Sequence, residues 1–268
     1  MLRELVGEDP ALPQGTLVAT ANQTAGRGRQ GREWVTPPDT ALSVSVLLRP
    51  DPGGAGLGLS WLPLIAGSAV SAALQPLFRG DEGGDEGGDE GTDPGLASKR
   101  VGVKWPNDVH VRDEDDAVAG RPGRKLCGIL CEALPSGEVI VGFGINFLQE
   151  EWQLPTDRAG SVRSEGGNTG GAESLDSERG AALADRVLVA ASTGMLSLLA
   201  RSRTDPGAVR TRVLRDSLTI GAEVRVHLPN GEIVDGRAVG LDPDGCLIVD
   251  RPTTGRLIVS AADVEHLR

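Results

Sequence analysis

Apolar and polar residues alternate in Ala41–Leu48, where Leu42, Val44 and Val46 lie on one face and Ser43 on the other. A period of two is typical of a strand with one buried face. The other strands predicted in this part of the chain are Gly15–Ala21, Val101–Trp105, Leu126–Leu134 and Glu138–Phe147. The last two are separated by a Pro-Ser-Gly turn and therefore predict a hairpin.

Two longer apolar segments have the spacing of helices. Gly58–Phe78 contains Pro63 in its first turn, where a missing N–H costs little. Ala181–Leu199 places apolar residues every three or four positions, and a shorter helix is expected near Gly207–Arg215. Together with the strands, these helices predict an α+β fold in which helices pack on a mixed β-sheet.

The pattern changes after Asp216, where helical spacing gives way to short strands and turns. Asn230-Gly231 is a hairpin signal, and Asp-Pro-Asp-Gly at 242–245 is another. Four or five strands within about 50 residues predict a small β-barrel. We therefore expect two domains, at residues 1–215 and 216–268. The strands predicted for the second domain are Glu223–Leu228, Val234–Leu241, Cys246–Asp250 and Arg256–Ser260.

Three polar segments interrupt the first domain, at about residues 80–98, 113–124 and 150–180. Gly80–Gly91 repeats Asp-Glu-Gly-Gly without an apolar residue and predicts a mobile surface loop, with an acidic cation site as the less favoured alternative. The formal net charge is −11, and eleven acidic residues in 80–98 and 113–116 account for all of it. The rest of the chain is balanced, so its net charge does not indicate a ligand.

Composition and termini exclude several classes of protein. An acidic chain argues against a domain that binds nucleic acid by neutralising phosphates. No run of about 18 apolar residues predicts a transmembrane helix, and Met1–Pro10 lacks the apolar segment of a secretory signal. Three cysteines are too few and too scattered for a disulfide framework. We predict a cytoplasmic protein that binds neither nucleic acid nor membrane.

The segment Gln23–Trp34, QTAGRGRQGREW, alternates glycine with arginine. Glycine lets the backbone approach a ligand closely, and forked guanidinium donors match phosphate or carboxylate. The segment lacks the Gly-Lys-Ser/Thr of the nucleotide-hydrolase phosphate loop and the glycine spacing of a dinucleotide fingerprint. It predicts an anion-binding loop, with a solvated basic turn as the alternative.

Two further segments place charged residues at strand ends. In KWPND, residues 104–108, a proline turn presents Asn107 and Asp108 at its tip, as a simple Asx turn would also do. In KLCGILCE, Lys125 enters an otherwise apolar strand, where it can extend to solvent or direct a compact cation at a developing negative charge. The two cysteines of this segment lack further ligands, so they predict core packing rather than zinc.

The strand Val139–Phe147, VIVGFGINF, has one wholly apolar face. The other face presents Gly142, Gly144 and Asn146. Glycines inside a strand cost stability and mark a close approach, either by a ligand or by another part of the backbone. Asn146 can present a donor and an acceptor to a base edge.

In chain order, GRGRQGREW, KWPND, KLCGILCE and GFGINF are similar to the motifs of the biotin protein ligases, and the C-terminal barrel resembles that family's SH3-like tail. The resemblance covers Leu2 to Arg268 apart from the three polar segments. It implies a class II synthetase-like catalytic domain that activates biotin with ATP and Mg²⁺ to biotinyl-5′-AMP. The biotin would then pass to one lysine of the biotin carboxyl carrier domain of a carboxylase. A homodimer is left open.

The resemblance also implies roles for individual residues. Lys125, Arg29 and Asp108 would be catalytic, with Lys125 between the biotin carboxylate and the α-phosphate and Arg29 in a loop that closes over the intermediate. Trp34 and Trp105 would be pocket walls or core, and no protein ligand set for a metal is implied beyond Mg²⁺ bound with ATP. The residues implied to bind biotin or the adenylate are Gln23, Gly26, Arg27, Gly28, Arg29, Lys125 and Gly128. Those implied to bind ATP are Asn107, Asp108, Gly144 and Asn146.

The beginning of the sequence departs from the family pattern. The family usually has a Ser-Thr-Asn segment for biotin upstream of the position of Gln23, and Met1 lies at or just past that place. We expect either a chain that starts late or weak biotin binding, and no operator binding because no helix-turn-helix precedes the domain. The alternatives to a biotin ligase are a lipoate ligase or octanoyl transferase, and a catalytically impaired carrier- or nucleotide-binding homologue.

Overall fold

The computed structural model describes residues 1–50, 56–79, 99–253, 255–260 and 262–267. The acidic repeat Gly80–Gly91 and the loop predicted for it lie outside these residues. The described strands are β1 (Leu17–Thr20), β2 (Gly26–Arg27), β3 (Glu33–Trp34), β4 (Ala41–Leu48), β5 (Arg100–Lys104), β6 (Asp108–Arg112), β7 (Arg124–Ala133), β8 (Val139–Asn146), β9 (Glu223–His227), β10 (Ile233–Leu241), β11 (Leu247–Arg251), β12 (Gly255–Val259) and β13 (Asp263–His266). The described helices are α1 (Leu2–Glu8), α2 (Leu62–Leu74), α3 (Glu114–Val118), α4 (Glu178–Thr204) and α5 (Pro206–Asp216).

A six-stranded sheet in the order β1-β4-β8-β7-β6-β5 forms the centre of the molecule. Neighbouring named strands in it are all antiparallel, and parallel pairing occurs among the described residues only as two isolated bridges, Val103–Ser217 and Lys125–Ala159. The α+β fold with helices on a sheet is confirmed, and so is the β7–β8 hairpin, whereas the mixed character of the sheet is limited to those two bridges.

Helix α2 packs on one face of this sheet and is covered by α4. Small residues make the close approach possible, since a Cβ at Gly67 would lie 3.1 Å from a methyl group of Val103 on β5. Ser177 caps α4 by accepting a hydrogen bond from the Gly180 amide at 3.1 Å, which fixes where the helix begins. The main core therefore lies between α2 and the sheet.

Strand β6 and helix α3 were not predicted from the sequence. Val109 and Val111 of β6 are buried, and the alternation in Asp-Val-His-Val-Arg is the signal that could have revealed the strand. Helix α3 begins after Asp113, whose carboxylate accepts from the Asp116 amide at 2.8 Å. Asp108 therefore begins a strand and is not the free tip of a turn.

The polar segment 150–180 is closely packed despite its composition. Val162 is fully buried and Leu175 is 5% exposed. The Val162 amide donates to the Asn146 carbonyl at 3.0 Å, and the Leu175 amide donates to the Asp39 carbonyl at 2.8 Å. Backbone hydrogen bonds to the sheet thus order a segment whose sequence has no periodic pattern.

The C-terminal sheet has the order β12-β11-β10-β9-β13, and its four neighbouring pairs are antiparallel. It is joined to the first sheet by buried polar contacts. The Trp105 indole donates to the Gly245 carbonyl at 3.1 Å, and the Trp61 indole donates to the Pro243 carbonyl at 2.9 Å. Both acceptors lie in the Asp-Pro-Asp-Gly turn, so this turn predicted from the sequence is also a docking point between the sheets.

Two helical stretches, Leu59–Phe78 and Glu178–Thr204, are long and apolar enough to cross a membrane by length and composition alone, in contrast to the expectation from the sequence. The most apolar window of the first is 72% buried inside the protein, and the two helices pack against each other. Burial in the core accounts for the apolar character of the first helix. The absence of a membrane contact remains a prediction.

Candidate active site

The face of the six-stranded sheet opposite α2 bears a row of polar residues and glycines. Directly paired positions across five strands form this site row, which consists of Lys104, Asp108, Gly128, Gly144 and Ser43. Residues that pair directly across strands project from the same face of a sheet. The row therefore aligns the motifs KWPND, KLCGILCE and GFGINF, which are far apart in the chain.

A bulge in β7 adds Lys125 to this face. Val109 pairs with Cys127, but the next residue, His110, pairs with Lys125, so Leu126 has no partner. Without the extra residue, Lys125 would share the face of Cys127 and point into the core. The bulge instead places the Lys125 ammonium 2.7 Å from an Asp108 carboxylate oxygen.

The glycine–arginine loop, residues 23–34, reaches the same place. The Arg29 guanidinium donates to the Asn107 side-chain oxygen at 2.8 Å. The Asn107 amide group in turn donates to the Ile129 carbonyl at 2.8 Å, which fixes its orientation. Arg29 and Lys125 are thus held by the adjacent residues Asn107 and Asp108, and two cations lie at one end of the site row.

The loop itself is a short hairpin of β2 and β3. Gly26 pairs with Trp34, and the Gly28 amide donates to the Arg32 carbonyl at 2.7 Å. Gln30, which lies between Gly28 and Arg32 in the chain, has a φ of 58°. A non-glycine residue in that region is uncommon, and it closes the turn that exposes the arginines.

The indole of Trp34 lies on the glycines of the site row. A Cβ at Gly144 would lie 2.7 Å from the Trp34 ring, and a Cβ at Gly128 would lie 3.1 Å from it. The Lys125 ammonium lies 5.6 Å from the ring centroid, within cation–π range. The Trp34 Nε1 is buried and has no hydrogen-bond partner within the described residues. An unpaired buried donor beside a glycine floor fits a site that accepts a planar polar ligand.

Gln23 lies at the Ser43 end of the site row, away from Lys104. Its side-chain oxygen accepts from the Ser43 hydroxyl at 3.0 Å, and it lies close to Gly26. Arg27 is exposed at the loop surface. Of the residues that the sequence analysis implicated in binding biotin or the adenylate, Gln23, Arg29, Lys125 and Gly128 lie on or beside the site row. The binding roles themselves remain predictions.

Asn146 occupies a different position from the other proposed ATP contacts. It is 5% exposed, donates to the Gly160 carbonyl at 2.9 Å and accepts from the Gln149 side chain at 3.1 Å. Both ends of its amide are used to hold the segment around Gly160 on the sheet. A contact between Asn146 and a nucleotide remains a prediction.

Residues 158–160 contact the site through their backbone, which the sequence analysis missed. The Lys125 amide donates to the Arg158 carbonyl at 2.8 Å, and the Gly160 amide donates to the Lys125 carbonyl at 2.9 Å. These two bonds flank the bulge at Leu126 and fix the direction of the Lys125 side chain. No local sequence signal reveals such a contact, because the two segments are distant in the chain.

Burial shifts the pKa of two ionisable groups at this end of the site. Burial lowers the pKa of the Lys104 ammonium, which donates to the Val264 carbonyl at 2.7 Å. Burial and then the charge of Lys104 lower the pKa of His110 to about 3, so this histidine is neutral at pH 7. His110 therefore adds no charge to this end of the sheet at pH 7.

The cysteines of β7 behave as core residues. Burial raises the pKa of the Cys127 thiol, and burial raises that of Cys131 to about 12. In the described part of the chain no group of three or more His, Cys, Asp or Glu residues could bind a metal ion. Asp108 is the carboxylate of the site row, so a metal there would need oxygen ligands from its substrate.

Residues 8–146 match the model of the biotin/lipoate A/B protein ligase family, and residues 219–267 match the biotin protein ligase C-terminal domain. The chain belongs to the biotin/lipoate A/B protein ligase family. It is 32% identical over 256 residues to the biotin–[acetyl-CoA-carboxylase] ligase of Mycobacterium tuberculosis, which covers 95% of this chain and 80% of that protein. This membership confirms the resemblance of the motifs and makes the chain a ligase.

Two further comparisons differ in how much of the related protein the match covers. The bifunctional ligase/repressor BirA of Bacillus subtilis is 28% identical, and the match covers 94% of this chain and 66% of that protein. The biotin–protein ligase of Aquifex aeolicus, solved in complex with biotin and ATP, superposes with a TM-score of 0.66 over 98% of this chain and 94% of that one, at 24% identity. At that identity the superposition supports the fold, which agrees with the α+β prediction.

Proposed function

We propose that this ligase joins biotin to ATP and then transfers the biotinyl group to a lysine of a biotin carboxyl carrier domain. The observation that supports this proposal is the meeting of Arg29 and Lys125 over a floor formed by Gly128 and Gly144. In the first step the biotin carboxylate attacks the α-phosphorus of ATP. A carbon–oxygen–phosphorus anhydride forms and pyrophosphate leaves.

Two anions must meet in this step, so cations are needed between them. Lys125 would lie between the biotin carboxylate and the α-phosphate, and this role is supported by its pairing with Asp108 beside the Arg29–Asn107 contact. Arg29 and Arg27 would contact the phosphate oxygens from the loop above. Most of the catalytic effect would then come from positioning and charge stabilisation, as in other phosphoryl-group reactions.

The glycine floor and Trp34 fit a nucleotide. The absent side chains of Gly128 and Gly144 leave the space that the Trp34 ring fills, and the nucleotide base would stack on the outer side of that ring. Gln23 and Ser43 would border the biotin side of the same row. Mg²⁺ would be held mainly by ATP oxygens with Asp108, since such ions commonly use one or two carboxylates plus substrate phosphates. When bound, it would neutralise phosphate charge.

In the second step the uncharged amine of the carrier lysine attacks the carbonyl carbon of biotinyl-AMP. An amide forms, AMP leaves, and the amine proton is lost to solvent or to a phosphate oxygen. Asn107 and Asp108 would orient the incoming amine at the rim of the site. The glycine–arginine loop would keep water from the anhydride between the two steps.

The domain boundary proposed from the sequence, near residue 215, is supported by the end of α5 at Asp216 and the beginning of β9 at Glu223. A reaction that consumes ATP suits the cytoplasm, which remains the proposed compartment. Neither nucleic acid nor membrane is needed for the reaction, and a homodimer stays a proposal.

Exchange of labelled pyrophosphate into ATP tests the first step directly. We expect exchange that requires biotin, followed by incorporation of biotin into an added carrier domain. Exchange with lipoate or octanoate but not with biotin would indicate a lipoate-type ligase instead. ATP binding without any exchange would indicate an impaired homologue, and either result would overturn the proposal.

A further inference from the structure

Three consecutive residues of strand β13 contact three separate segments that border the site. Asp263 accepts two hydrogen bonds from one Arg32 nitrogen, at 2.9 and 3.0 Å. The Val264 carbonyl accepts from the Lys104 ammonium at 2.7 Å. Glu265 accepts from the Arg158 guanidinium at 3.0 Å.

The partners of these residues each belong to a part of the site that must be correctly placed. Arg32 lies in the glycine–arginine loop, three residues after Arg29. Arg158 provides the carbonyl that accepts from the Lys125 amide beside the bulge. Lys104 is the first residue of KWPND and belongs to the site row. One short strand of the C-terminal sheet therefore contacts the loop above the site, its floor and the backbone that directs Lys125.

We propose that Asp263 and Glu265 are positioning residues that fix the glycine–arginine loop and the Arg158 segment over the site. The expected change in the KM for ATP rests on the proposed function, whereas the expected change in the order of the loop does not. Neither carboxylate belongs to the site row. Each acts through an arginine, so their loss would loosen the loops without removing a reacting group.

The expected effect on global stability is small. The Arg32 and Asp263 side chains are 62% and 49% exposed, and the Arg158 and Glu265 side chains are 76% and 40% exposed. Exposed ion pairs of this kind contribute little to folding. Any marked effect of removing them must therefore appear in the local order of the loops and in reactions that need those loops.

The chain offers a matched control within the same sheet. Arg256 and Asp250, on neighbouring strands β12 and β11, form an ion pair at 2.9 Å with 72% and 44% of the side chains exposed. Asp250→Ala removes a comparable ion pair at the opposite edge of the sheet from β13. Asp263→Glu keeps the charge and serves as the conservative variant.

The contact between Arg32 and Asp263 attaches the glycine–arginine loop to β13, and we call it the tether. Limited trypsin digestion of the ligand-free protein tests the tether without relying on any activity. Trypsin cuts after arginine, so cleavage after Arg27 and Arg29, followed by mass spectrometry, reports how often the loop opens. We expect about two- to fivefold faster cleavage in Asp263→Ala and in Arg32→Ala, and near-wild-type rates in Asp263→Glu and Asp250→Ala. Unchanged cleavage in both Asp263→Ala and Arg32→Ala would overturn the tether, whatever reaction the protein catalyses.

Steady-state kinetics then test the consequence for the site. Asp263→Ala and Glu265→Gln should raise the KM for ATP by about two- to fivefold with little change in kcat, and Asp263→Glu should restore it. Values equal to those of Asp250→Ala would overturn the positioning role. An absence of biotin-dependent exchange in the wild-type protein would instead contradict the proposed function and leave the digestion result as the test of the tether.

Discussion

The two faces of the six-stranded sheet use the same strands for different purposes. Each residue of the site row has a neighbour along its strand that projects from the opposite face. These neighbours also pair directly across the five strands, and they form a core row of Val103, Val109, Cys127, Ile145 and Leu42. Each member of the core row is buried, with an exposed fraction of 6% or less. The site row beside it contains two glycines, a serine and two charged residues. A shift of one residue thus separates the part that stabilises the sheet from the part proposed to do chemistry.

The comparison predicts that stability and chemistry can be altered separately in this protein. Residues of the core row pack between the sheet and α2, so their truncation should leave a cavity. Residues of the site row border the glycine–arginine loop or one another, so changing them should alter the proposed ligand site. Lys125 departs from the regular alternation of the two faces, because a strand without the bulge would place it with the core row.

Replacing Lys125 by alanine should have the largest effect on activity. We expect biotin-dependent pyrophosphate exchange to fall by about 10²–10³-fold, because a cation between the two reacting anions is lost. The unfolding free energy should change little, since the Lys125 side chain is 30% exposed.

Lys99 provides the matched control for this variant. Its side chain is 27% exposed and paired with Glu165 at 3.1 Å, away from the site row. Lys99→Ala should keep nearly full exchange activity. Equal activities for the two variants would remove Lys125 from the reaction.

Gly144 and Ile145 lie on opposite faces of β8, so substituting one should change the KM and substituting the other should change the stability. Gly144→Ala should raise the KM for ATP by about 10- to 100-fold, because the new methyl group would lie 2.7 Å from Trp34 and displace it. Ile145→Ala should lower the unfolding free energy by about 2–5 kcal/mol and leave the KM nearly unchanged. Chemical denaturation and exchange kinetics on the same preparations would measure both. A loss of stability alone in Gly144→Ala would contradict the division between the faces.

Opening the loop above the site should release the intermediate. Arg29→Gly removes the hydrogen bond to Asn107 and a charge that would face the phosphate, and it should weaken retention of biotinyl-AMP by about tenfold. Free adenylate and indiscriminate labelling of a bystander protein are the expected readouts. Labelling that stays confined to the carrier would show that Arg29 does not retain the adenylate.

The smallest expected effect is on the pH dependence of stability. The pKa of His110 is lowered by burial to about 3, below the unfolded value of about 6.5. As the pH falls below about 6.5 the unfolded chain binds this proton and the folded chain does not, so the unfolding free energy decreases. His110→Gln should flatten this decrease by about 1–2 kcal/mol between about pH 6.5 and 5. An identical slope in both proteins would show that His110 is not buried in its neutral form.

Local patterns predicted most of the fold and several residues that the structure brings together at the proposed site. Alternation revealed β4, β7 and β8, and helical spacing revealed α2 and α4, because one face of each is buried in the core. The four motifs indicated Arg29, Asn107, Asp108 and Lys125 before any contact between them was known. The fold predictions were confirmed because each depends on residues that are close in sequence, whereas the roles of the four site residues remain predictions.

The remaining features depend on contacts between distant segments. The bulge at Leu126 is held by the backbone of residues 158–160, and a period of two gives no sign of it. The packing of Trp34 on Gly144 requires a loop to fold back over the sheet. The contacts of Asp263 and Glu265 join the last strand to loops far earlier in the chain, so composition alone could not reveal them.

Amine footprinting of the three lysines tests the central claim most directly, because Lys99 and Lys125 are similarly exposed and lie in different places. A lysine-specific reagent would be applied with and without biotin and ATP, and labelling would be measured by mass spectrometry. The account predicts that the two substrates together protect Lys125 strongly and leave the labelling of Lys99 unchanged. Equal labelling of Lys125 with and without saturating substrates would contradict a site on this face of the sheet.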